Sequence, residues 1–437
     1  MKKLNPQRVG FCLLTSLTLI CLSIFTNQNL SIANAATNSE HSQLLLENES
    51  NSDSDSEEIK TGKFSFTAKP VSQHVMLKTL GLYLGKKFDP RKHALDETIE
   101  LRDHRGRLKK IKDLRPNVFA IDYNVYVPKS YDGKAPYGLL VYIDSGGHNN
   151  FPDRLKKVCD EKKLIWIGPK NAGNNSYVFS RHCAAVHAVF AIQNQNYKIA
   201  DSRVYIAGFS GGARMAARVA LTFPTFFRGA ILAGGIEMYR SVNGAPEKGF
   251  NPSRKDLKTA AKLVRIYAVV GTADKMLPHA AAKVAYKTYK KDGFKINYDI
   301  VKGRKHIPAT AKDVEKALKI FDKAGLKHWK KLYKKALKFE KGKKLGKALP
   351  LFQQAAAYAV LSKSDDAKNA IKKAAKYYDM YYKERAKVEK LLNPFDYKAI
   401  KKALSKFCKR WHPYTKIYKK KMLARIKYER KKAKSKK

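Results

Sequence analysis

One serine of this chain lies in a setting that could make it a nucleophile. Ser210 is the centre of Gly208-Phe209-Ser210-Gly211-Gly212, which follows Arg203 and the apolar run Val204 to Ala207. A serine hydroxyl is a weak nucleophile at neutral pH, so it must be exposed and paired with a base. Glycines on both sides of the serine let a strand and a helix approach closely at a sharp turn. The pattern predicts a strand, a tight turn carrying Ser210, and a helix from about Ala213 to Leu221.

The residues that would activate Ser210 are predicted downstream of it. Asp274 follows the predicted strand Val264 to Val270, and His306 follows the predicted strand Lys295 to Val301. The carboxyl ends of neighbouring parallel strands share one edge of a sheet, so these loops can meet. The sequence therefore predicts Ser210 as nucleophile, His306 as general base and Asp274 as the acid that orients the base.

Other residues compete for the roles of base and acid. Four further histidines are candidates: His148, His182, His187 and His279. An isolated histidine is more often a surface or core residue than a base. The order nucleophile, acid, histidine favours His306 over the three that precede the serine and over the one that begins a helix. Asp144, at the end of an earlier strand, is the alternative acid.

The same site needs N–H donors for the oxyanion of a tetrahedral intermediate. The amide of Gly211, directly after the nucleophile, is one by position. Gly146 and Gly147 are candidates for the second, because they follow the predicted strand Tyr137 to Asp144 and permit a close backbone approach. A tight turn is the alternative interpretation of these two glycines. Asn171 to Asn175 also follows a strand and could line the mouth of the site, although a plain polar loop is the favoured interpretation.

Longer segments around these residues resemble secreted serine esterases. Three stretches carry the resemblance: Tyr123 to Gly133, the strand that starts at Pro136, and Phe223 to Ala230 with Gly234-Gly235. They are similar to feruloyl-esterase-like and polyhydroxybutyrate-depolymerase-like members of the α/β-hydrolase superfamily, over about Val118 to Pro308. The resemblance implies hydrolysis of ester bonds through an acyl-enzyme. The chain departs from it at Asp144-Ser145, where many esterases carry His-Gly.

No cofactor is expected for this chemistry. The resemblance implies an acyl-enzyme route without a metal or an organic cofactor. In the sequence, no Cys/His cluster has metal-ligand spacing, and no glycine-rich loop has the pattern that cradles phosphate.

The elements that must position the site alternate short apolar runs with helical stretches, which is typical of a mainly parallel sheet covered by helices. Seven strands are predicted: Val118 to Val127, Tyr137 to Asp144, Leu164 to Gly168, Arg203 to Gly208, Gly229 to Ala233, Val264 to Val270 and Lys295 to Val301. Residues 63–325 are therefore predicted to form an α/β domain of the α/β-hydrolase type. Phe64 to Arg115 is assigned as an N-terminal elaboration of that domain.

The composition changes after Gly325. Residues 326–437 contain 37 Lys and Arg against 8 Asp and Glu, a net charge of +29 out of +52 for the whole chain. Apolar residues at helical spacing predict an all-α basic region, with a helix cap at Ser364 and a basic tail from Lys419. Trp329 to Ala359 resembles one degenerate tetratricopeptide helix pair, and an ordinary lysine-rich bundle is the alternative.

A charge of this size attracts polyanions. Residues 326–437 would hold the chain on an anionic polymer, such as an acidic polysaccharide, lipopolysaccharide or nucleic acid, or on a membrane surface. No specific nucleic acid is predicted, and lysines that merely solvate the surface are the alternative.

The favoured function is hydrolysis of a carboxylic ester, polysaccharide-linked esters included. The residues themselves do not separate an ester from an amide substrate. A peptidase of the prolyl-oligopeptidase kind is therefore one alternative, although such peptidases carry a large extra β-domain that this sequence does not indicate. A polyanion-binding protein with a vestigial hydrolase domain is the other.

The N-terminus has the pattern of a secretory signal peptide. Its first eight residues carry three Lys or Arg and no acid, and the apolar run Val9 to Phe25 and the small-residue site Ala33-Asn34-Ala35 follow. Residues 1–35 are predicted to be removed on export to the periplasm or the exterior, and an uncleaved membrane anchor is the alternative. Residues 36–62 read as an acidic Ser/Asn-rich linker.

Cleavage would leave three cysteines, Cys159, Cys183 and Cys408. Export permits disulfides, so Cys159 and Cys183 could pair. Two buried thiols is the favoured interpretation, because sequence spacing gives no disulfide geometry.

Overall fold

The structure is a computed structural model, and it describes residues 59–84, 100–102, 108–240, 250–392 and 395–434. The predicted signal peptide and most of the predicted linker lie outside these residues. Within the described ranges, no helix combines the length and the apolar character that crossing a bilayer requires.

Most of the strands form one large mixed sheet. The strands of the described residues are β1 (Gly62–Ala68), β2 (Glu100–Arg102), β3 (Leu108–Lys110), β4 (Ile121–Val127), β5 (Tyr137–Ile143), β6 (Leu164–Pro169), β7 (Ile199–Phe209), β8 (Gly229–Ala233), β9 (Arg265–Gly271) and β10 (Lys295–Val301). β2 pairs with β3, and the other eight form one sheet in the order β1-β4-β6-β5-β7-β8-β9-β10. β4 runs antiparallel to β1 and β6, and all other neighbours are parallel.

Helices separate most of the strands and then continue alone to the C-terminus. They are α1 (Gln73–Leu84), α2 (Lys156–Glu161), α3 (Val178–Asn194), α4 (Gly211–Thr222), α5 (Arg254–Leu263), α6 (His279–Lys291), α7 (Ala311–Lys341), α8 (Leu345–Ala359), α9 (Asp365–Lys390), α10 (Tyr397–Arg410) and α11 (Lys416–Lys434). The sequence predicts an α/β fold with a mainly parallel sheet, followed by an all-α basic region, and the structure confirms this fold class.

All seven predicted strands are present, with bounds shifted by a few residues. The largest shift is at β7, which begins at Ile199 rather than Arg203. β1 was not predicted, and it lies across the end of the predicted linker and the start of the N-terminal elaboration. Its signal is the alternation of partly buried Phe64 and Phe66 with exposed neighbours, which is the period of a strand with one covered face.

The sheet is covered on both faces, as its apolar strands require. On β5, Leu139, Val141 and Ile143 face a core built with α1, α3, α4, α5 and α6. Leu140 and Tyr142 face the opposite core, built with α2 and the first half of α7. Successive side chains of one strand therefore contribute to two separate apolar layers.

α7 belongs to both regions of the molecule. Val314 and Phe321 pack against the sheet, and Ala336 packs in the core of the helical region. The predicted boundary after Gly325 therefore falls inside one continuous helix, although the composition does change there. A Cβ on Gly325 would lie 2.0 Å from the ring of Tyr358, so the missing side chain lets α8 approach α7.

A buried ion pair fastens α7 and α8 to the sheet. Arg203 of β7 donates from Nε to Asp322 Oδ1 at 3.2 Å and from Nη2 to Asp322 Oδ2 at 3.3 Å. The same guanidinium donates to the carbonyls of Lys162 at 2.7 Å and Ala357 at 3.4 Å. The Tyr205 hydroxyl also donates to Asp322. The buried charges are thus satisfied by groups from β7, α7, α8 and the residue that follows α2.

The helical region has its own aromatic core. Phe352, Tyr381 and Trp411 are buried there among aliphatic side chains of α8 to α11. The predicted cap is confirmed, since Ser364 Oγ accepts a hydrogen bond from the Ala367 amide at 3.3 Å. Apolar spacing and cap chemistry therefore set these helices as the sequence indicates.

The three cysteines of the described residues are free and buried: Cys159, Cys183 and Cys408. The buried-thiol interpretation is confirmed over a disulfide between the first two. Burial raises the pKa of both the Cys159 and the Cys183 thiol, so these groups stay protonated at neutral pH.

Candidate active site

Ser210 lies on a strained turn between β7 and α4. Its backbone has φ 54° and ψ −121°, in a region that non-glycine residues avoid, which costs about 1–3 kcal/mol. The Ser210 amide donates to the Ala233 carbonyl at 2.9 Å, which holds the turn against the end of β8. A Cβ on Gly208 would lie 2.3 Å from the carbonyl oxygen of Gly212, so only glycine allows this crossing of strand and helix. The structure thus contains the predicted strand, turn and helix.

His306 and Asp274 are hydrogen-bonded to each other. His306 lies after β10 and Asp274 after β9, and the distance from His306 Nδ1 to Asp274 Oδ2 is 2.8 Å. The other carboxylate oxygen accepts from the amides of Met276 at 2.9 Å and Leu277 at 2.8 Å. Burial alone would raise the pKa of Asp274, but the bonds from His306 and these amides outweigh burial and lower the pKa below its usual value. The buried carboxylate therefore stays ionised and fixes the imidazole.

The imidazole of His306 lies beside the backbone that carries the serine. Its ring contacts the ring of Phe209, the residue before Ser210, with centroids 4.8 Å apart. A Cβ on Gly234 would lie 3.0 Å from His306 Cε1, and Gly234 directly follows Ala233, which binds the Ser210 amide. With Nδ1 bound by the carboxylate, Nε2 is the ring nitrogen available to a serine hydroxyl.

The loop after β5 meets the N-terminus of α4. A Cβ on Gly212 would lie 2.0 Å from the Ile143 carbonyl oxygen, so the predicted oxyanion loop approaches the residues after Ser210. The Gly146 amide donates to Asp144 Oδ2 at 3.2 Å, which is a local turn, and Gly147 has φ 87°. Asp144 is thus engaged by its own loop, while His306 is engaged by the other candidate acid.

The loop Asn171 to Asn175 takes part in the site more closely than the favoured sequence interpretation allows. The Asn174 amide donates to the Ser145 carbonyl at 2.8 Å, and the Asn171 amide donates to the Gly147 carbonyl at 2.9 Å. A Cβ on Gly211 would lie 2.0 Å from Asn174 Oδ1, so this side chain covers the residue after the nucleophile. The position of this loop after β6, at the carboxyl edge of the sheet, is the signal that made it a candidate for the mouth of the site.

The competing histidines are placed elsewhere. His182 and His187 are buried in α3, where His182 bonds the hydroxyls of Tyr83 and Thr222 and His187 bonds that of Tyr123. Burial lowers the pKa of His182 to about 3 and that of His187 to about 4, so both are neutral core residues. The two remaining competitors are exposed on the surface: His148 and His279.

A buried acid that the sequence did not single out braces α4. Glu237, in the segment after β8, accepts from Arg214 Nε at 2.5 Å and from Arg218 Nη2 at 2.5 Å. Arg214 and Arg218 are one turn apart on the helix that follows Ser210. These two contacts connect α4 to the segment that contains Gly234 and so help to hold the turn of Ser210 in place.

Among the residues that the structure describes, no group of three or more His, Cys, Asp or Glu side chains is arranged to hold a metal ion. The groups that could do chemistry at this edge of the sheet are a hydroxyl, an imidazole, a carboxylate and backbone amides. That set is suited to nucleophilic acyl transfer.

No family model matches the chain, and no curated protein matches it. Among solved structures, a thermostable esterase is 15% identical, with 52% of this chain and 70% of that one covered and a TM-score of 0.36. Esterase 2 of Thermogutta terrifontis is 14% identical, with 50% and 93% covered and a TM-score of 0.34. Acylaminoacyl peptidase of Pyrococcus horikoshii is 17% identical, with 53% and 41% covered and a TM-score of 0.35. These are similarities of fold, and the case for a reaction rests on the residues described above.

Proposed function

We propose that this protein is an exported serine hydrolase that cleaves carboxylic esters through Ser210, His306 and Asp274. The observation that carries the proposal is the buried Asp274 carboxylate bound at 2.8 Å to Nδ1 of an imidazole that lies beside the strained turn of Ser210. Along the chain the serine comes first, then the carboxylate and then the imidazole, and in space the imidazole lies between the carboxylate and the turn of the serine. These groups are the parts of an acyl-transfer site.

In the proposed reaction, His306 Nε2 removes the proton of Ser210 Oγ as that oxygen attacks the ester carbon. Asp274 keeps the imidazole in the required tautomer and stabilises its protonated form. When the tetrahedral intermediate collapses, His306 gives the proton to the leaving alcohol, and an acyl-enzyme remains on Ser210. Water, deprotonated by the same imidazole, then releases the acid and restores the serine.

The amide of Gly211 is the first proposed donor to the oxyanion, because it begins α4 directly after the nucleophile. Gly146 and Gly147 are the candidates for the second donor. The Gly146 amide already donates to Asp144 Oδ2 at 3.2 Å, a long contact, and an oxyanion would compete with that carboxylate for it. Removing an oxyanion donor typically lowers kcat by about 100- to 1,000-fold, so the second donor matters for rate.

Export is proposed from the N-terminal pattern of basic residues, apolar run and small-residue site in residues 1–35. Fractionation of cells that express the full chain tests it. Mature protein that starts near residue 36 in the periplasm or medium is the expected result, and full-length protein retained in the cytoplasm would contradict it.

Labelling with a fluorophosphonate probe tests the serine without assuming a substrate. Wild-type protein should be labelled and should cleave a short-chain p-nitrophenyl ester, and Ser210→Ala should lose both properties. Ser65→Ala is the matched control, because Ser65 is exposed on the edge strand β1. Esterase activity of Ser210→Ala at the wild-type rate would refute the proposal.

The same protein assayed on a p-nitroanilide peptide separates the peptidase alternative from the esterase. Faster turnover of the ester is expected. Faster turnover of the anilide would leave the assignment of the catalytic residues unchanged, but it would identify the substrate as a peptide instead of an ester.

A further inference from the structure

One face of α7 carries a lysine at every turn along its whole length. From Lys312 to Lys341 nine lysines follow one another at spacings of 4, 3, 4, 4, 3, 4, 4 and 3 residues, and all nine are exposed. With 3.6 residues per turn these spacings keep the side chains on one side of the helix, in a row about 43 Å long. We name these nine lysines the lysine track.

The charge of the track is largely uncompensated. Within the described residues, two of its lysines reach a carboxylate: Lys316 forms an ion pair with Asp299, and Lys330 lies 3.4 Å from Asp366. The acids of α7 lie outside the register of the track. Three of them bind other partners: Asp313 with Arg304, Asp322 with Arg203, and Glu340 with Lys373.

The row is held straight by the rest of the molecule. The opposite side of α7 is buried, through Val314 and Phe321 on the sheet and through Ala336 in the helical region. Lysines on a packed helix keep their mutual spacing, whereas lysines in a loop would adapt to any partner. The first of them, Lys312, is six residues after His306, so the track begins at the carboxyl edge of the sheet, where the candidate active site lies.

We propose that the lysine track binds a linear acidic polysaccharide that lies along α7. Evenly spaced ammonium groups on a straight support suit a polymer that repeats its carboxylate or sulfate groups at regular intervals. Binding of this kind depends on the track alone and does not require Ser210 to be active.

The composition of the track favours a polysaccharide over a single-stranded nucleic acid and over a membrane. Single-stranded nucleic acids are usually bound with exposed aromatic rings on which bases stack. The tryptophan of α7, Trp329, is buried, and no aromatic residue is in register with the track. Helices that bind membranes insert apolar side chains between their lysines. On α7, Leu326 is the one large apolar side chain of the described residues that is exposed, so the helix has little apolar surface to insert into a membrane.

Binding of the full-length protein to alginate, a linear polyuronate, tests the proposal. The variant combines Lys319→Gln, Lys327→Gln, Lys334→Gln and Lys341→Gln, all at exposed helical positions where glutamine preserves the helix. Each lysine that contacts the polymer releases about one counterion, so the slope of log K against log salt should become shallower by about 3. At physiological salt the affinity should fall at least about tenfold.

The matched control removes the same charge from another helix. It changes four exposed lysines of α10 to glutamine: Lys398, Lys402, Lys406 and Lys409. The control should bind alginate within about twofold of the wild type and keep its salt slope. An equal loss in both variants would show that net charge alone drives binding, and no loss in the track variant would show that the track is not the site. Either result overturns the proposal.

Three further ligands decide the class of anion: duplex DNA, a single-stranded oligonucleotide and phosphatidylglycerol vesicles. Alginate should bind more tightly than each of them at the same salt, and the track variant should lose this preference. Tighter, track-dependent binding to DNA or to vesicles would overturn the assignment to a polysaccharide. Ser210→Ala should bind alginate like the wild type, so failure of the proposed hydrolase and failure of the track give different results.

Discussion

The α/β domain and the helical region use their charged residues in opposite ways. In the α/β domain, Asp274, Asp322 and Glu237 are buried, and each is bound by a specific cationic or imidazole partner. In the helical region, six of the eight acids pair with Lys or Arg and a seventh, Asp396, caps α10. Of the remaining Lys and Arg side chains whose exposure the structure describes in that region, nearly all face solvent.

This difference separates two kinds of function. Buried, directional pairs can hold a reacting group in one protonation state and one orientation, which chemistry requires. Exposed charges of one sign create a field that attracts polyanions, and any preference among them depends on how the charges are spaced. Catalysis therefore depends on single residues, whereas binding at the basic surface depends on how many lysines are aligned.

Among the changes that test this comparison, Asp274→Asn should have the largest effect. An amide keeps the shape of the carboxylate but favours the wrong tautomer of His306 and does not stabilise its cation. We expect kcat for an ester to fall by about 1,000- to 10,000-fold with little change in the free energy of unfolding. Steady-state kinetics at saturating substrate measures it.

Asp144→Asn is the control, because Asp144 is the alternative acid and bonds the amide of Gly146 within its own loop. Its kcat should fall by less than about tenfold, through loss of support for the oxyanion loop. A larger loss for Asp144→Asn than for Asp274→Asn would reverse the assignment of the acid.

The parts of the site that the sequence predicts are those with a local signal. β7 and β9 contain apolar runs, and β10 alternates apolar with polar residues. Ser210, Asp274 and His306 each follow one of these strands, so chain order was enough to propose the three. β1 was missed because its alternation lies beside a polar linker of low hydropathy. Asn174 was underrated, because its contact with Gly211 depends on two loops meeting across the sheet edge.

The junction between the two regions could not be predicted in the same way. Arg203 and Asp322 are 119 residues apart, and each alone reads as an ordinary charged residue. The composition changes near residue 325, but α7 continues through that point as one helix. Long-range pairing of charges leaves no periodic signature in a sequence.

Asp322→Ala should have the next largest effect, on stability instead of rate. It leaves Arg203 buried without its carboxylate, and breaking a buried pair in this way costs about 3–5 kcal/mol. Urea unfolding followed by circular dichroism measures the loss. Asp366→Ala is the control, since its pair with Lys330 is exposed on both sides, and it should leave the midpoint nearly unchanged. Equal midpoints for the two variants would mean that the buried pair does not couple the regions.

Mild acid should destabilise the α/β domain, by a smaller amount than Asp322→Ala does. It should not destabilise the helical region. Burial lowers the pKa of His182 to about 3 and of His187 to about 4, from an ordinary 6.5. Above pH 6.5 both states of each histidine are neutral, and the shift contributes nothing. Below it the unfolded chain gains protons that the folded chain does not, so stability is lost progressively towards pH 4.

At pH 5.5, one unit below the ordinary pKa, each histidine should cost about 1.4 kcal/mol in the free energy of unfolding. Urea unfolding at pH 7.5 and pH 5.5 measures this difference. His187→Phe should reduce this difference by about half, because His187 is one of the two histidines that cause it. Phenylalanine suits the position, since the ring is buried and only Nδ1 finds a partner among the described residues. His412→Gln, at an exposed position of the helical region, should leave the difference unchanged. An acid loss that persists in full in His187→Phe would place its origin in other groups and remove this contrast between the two regions.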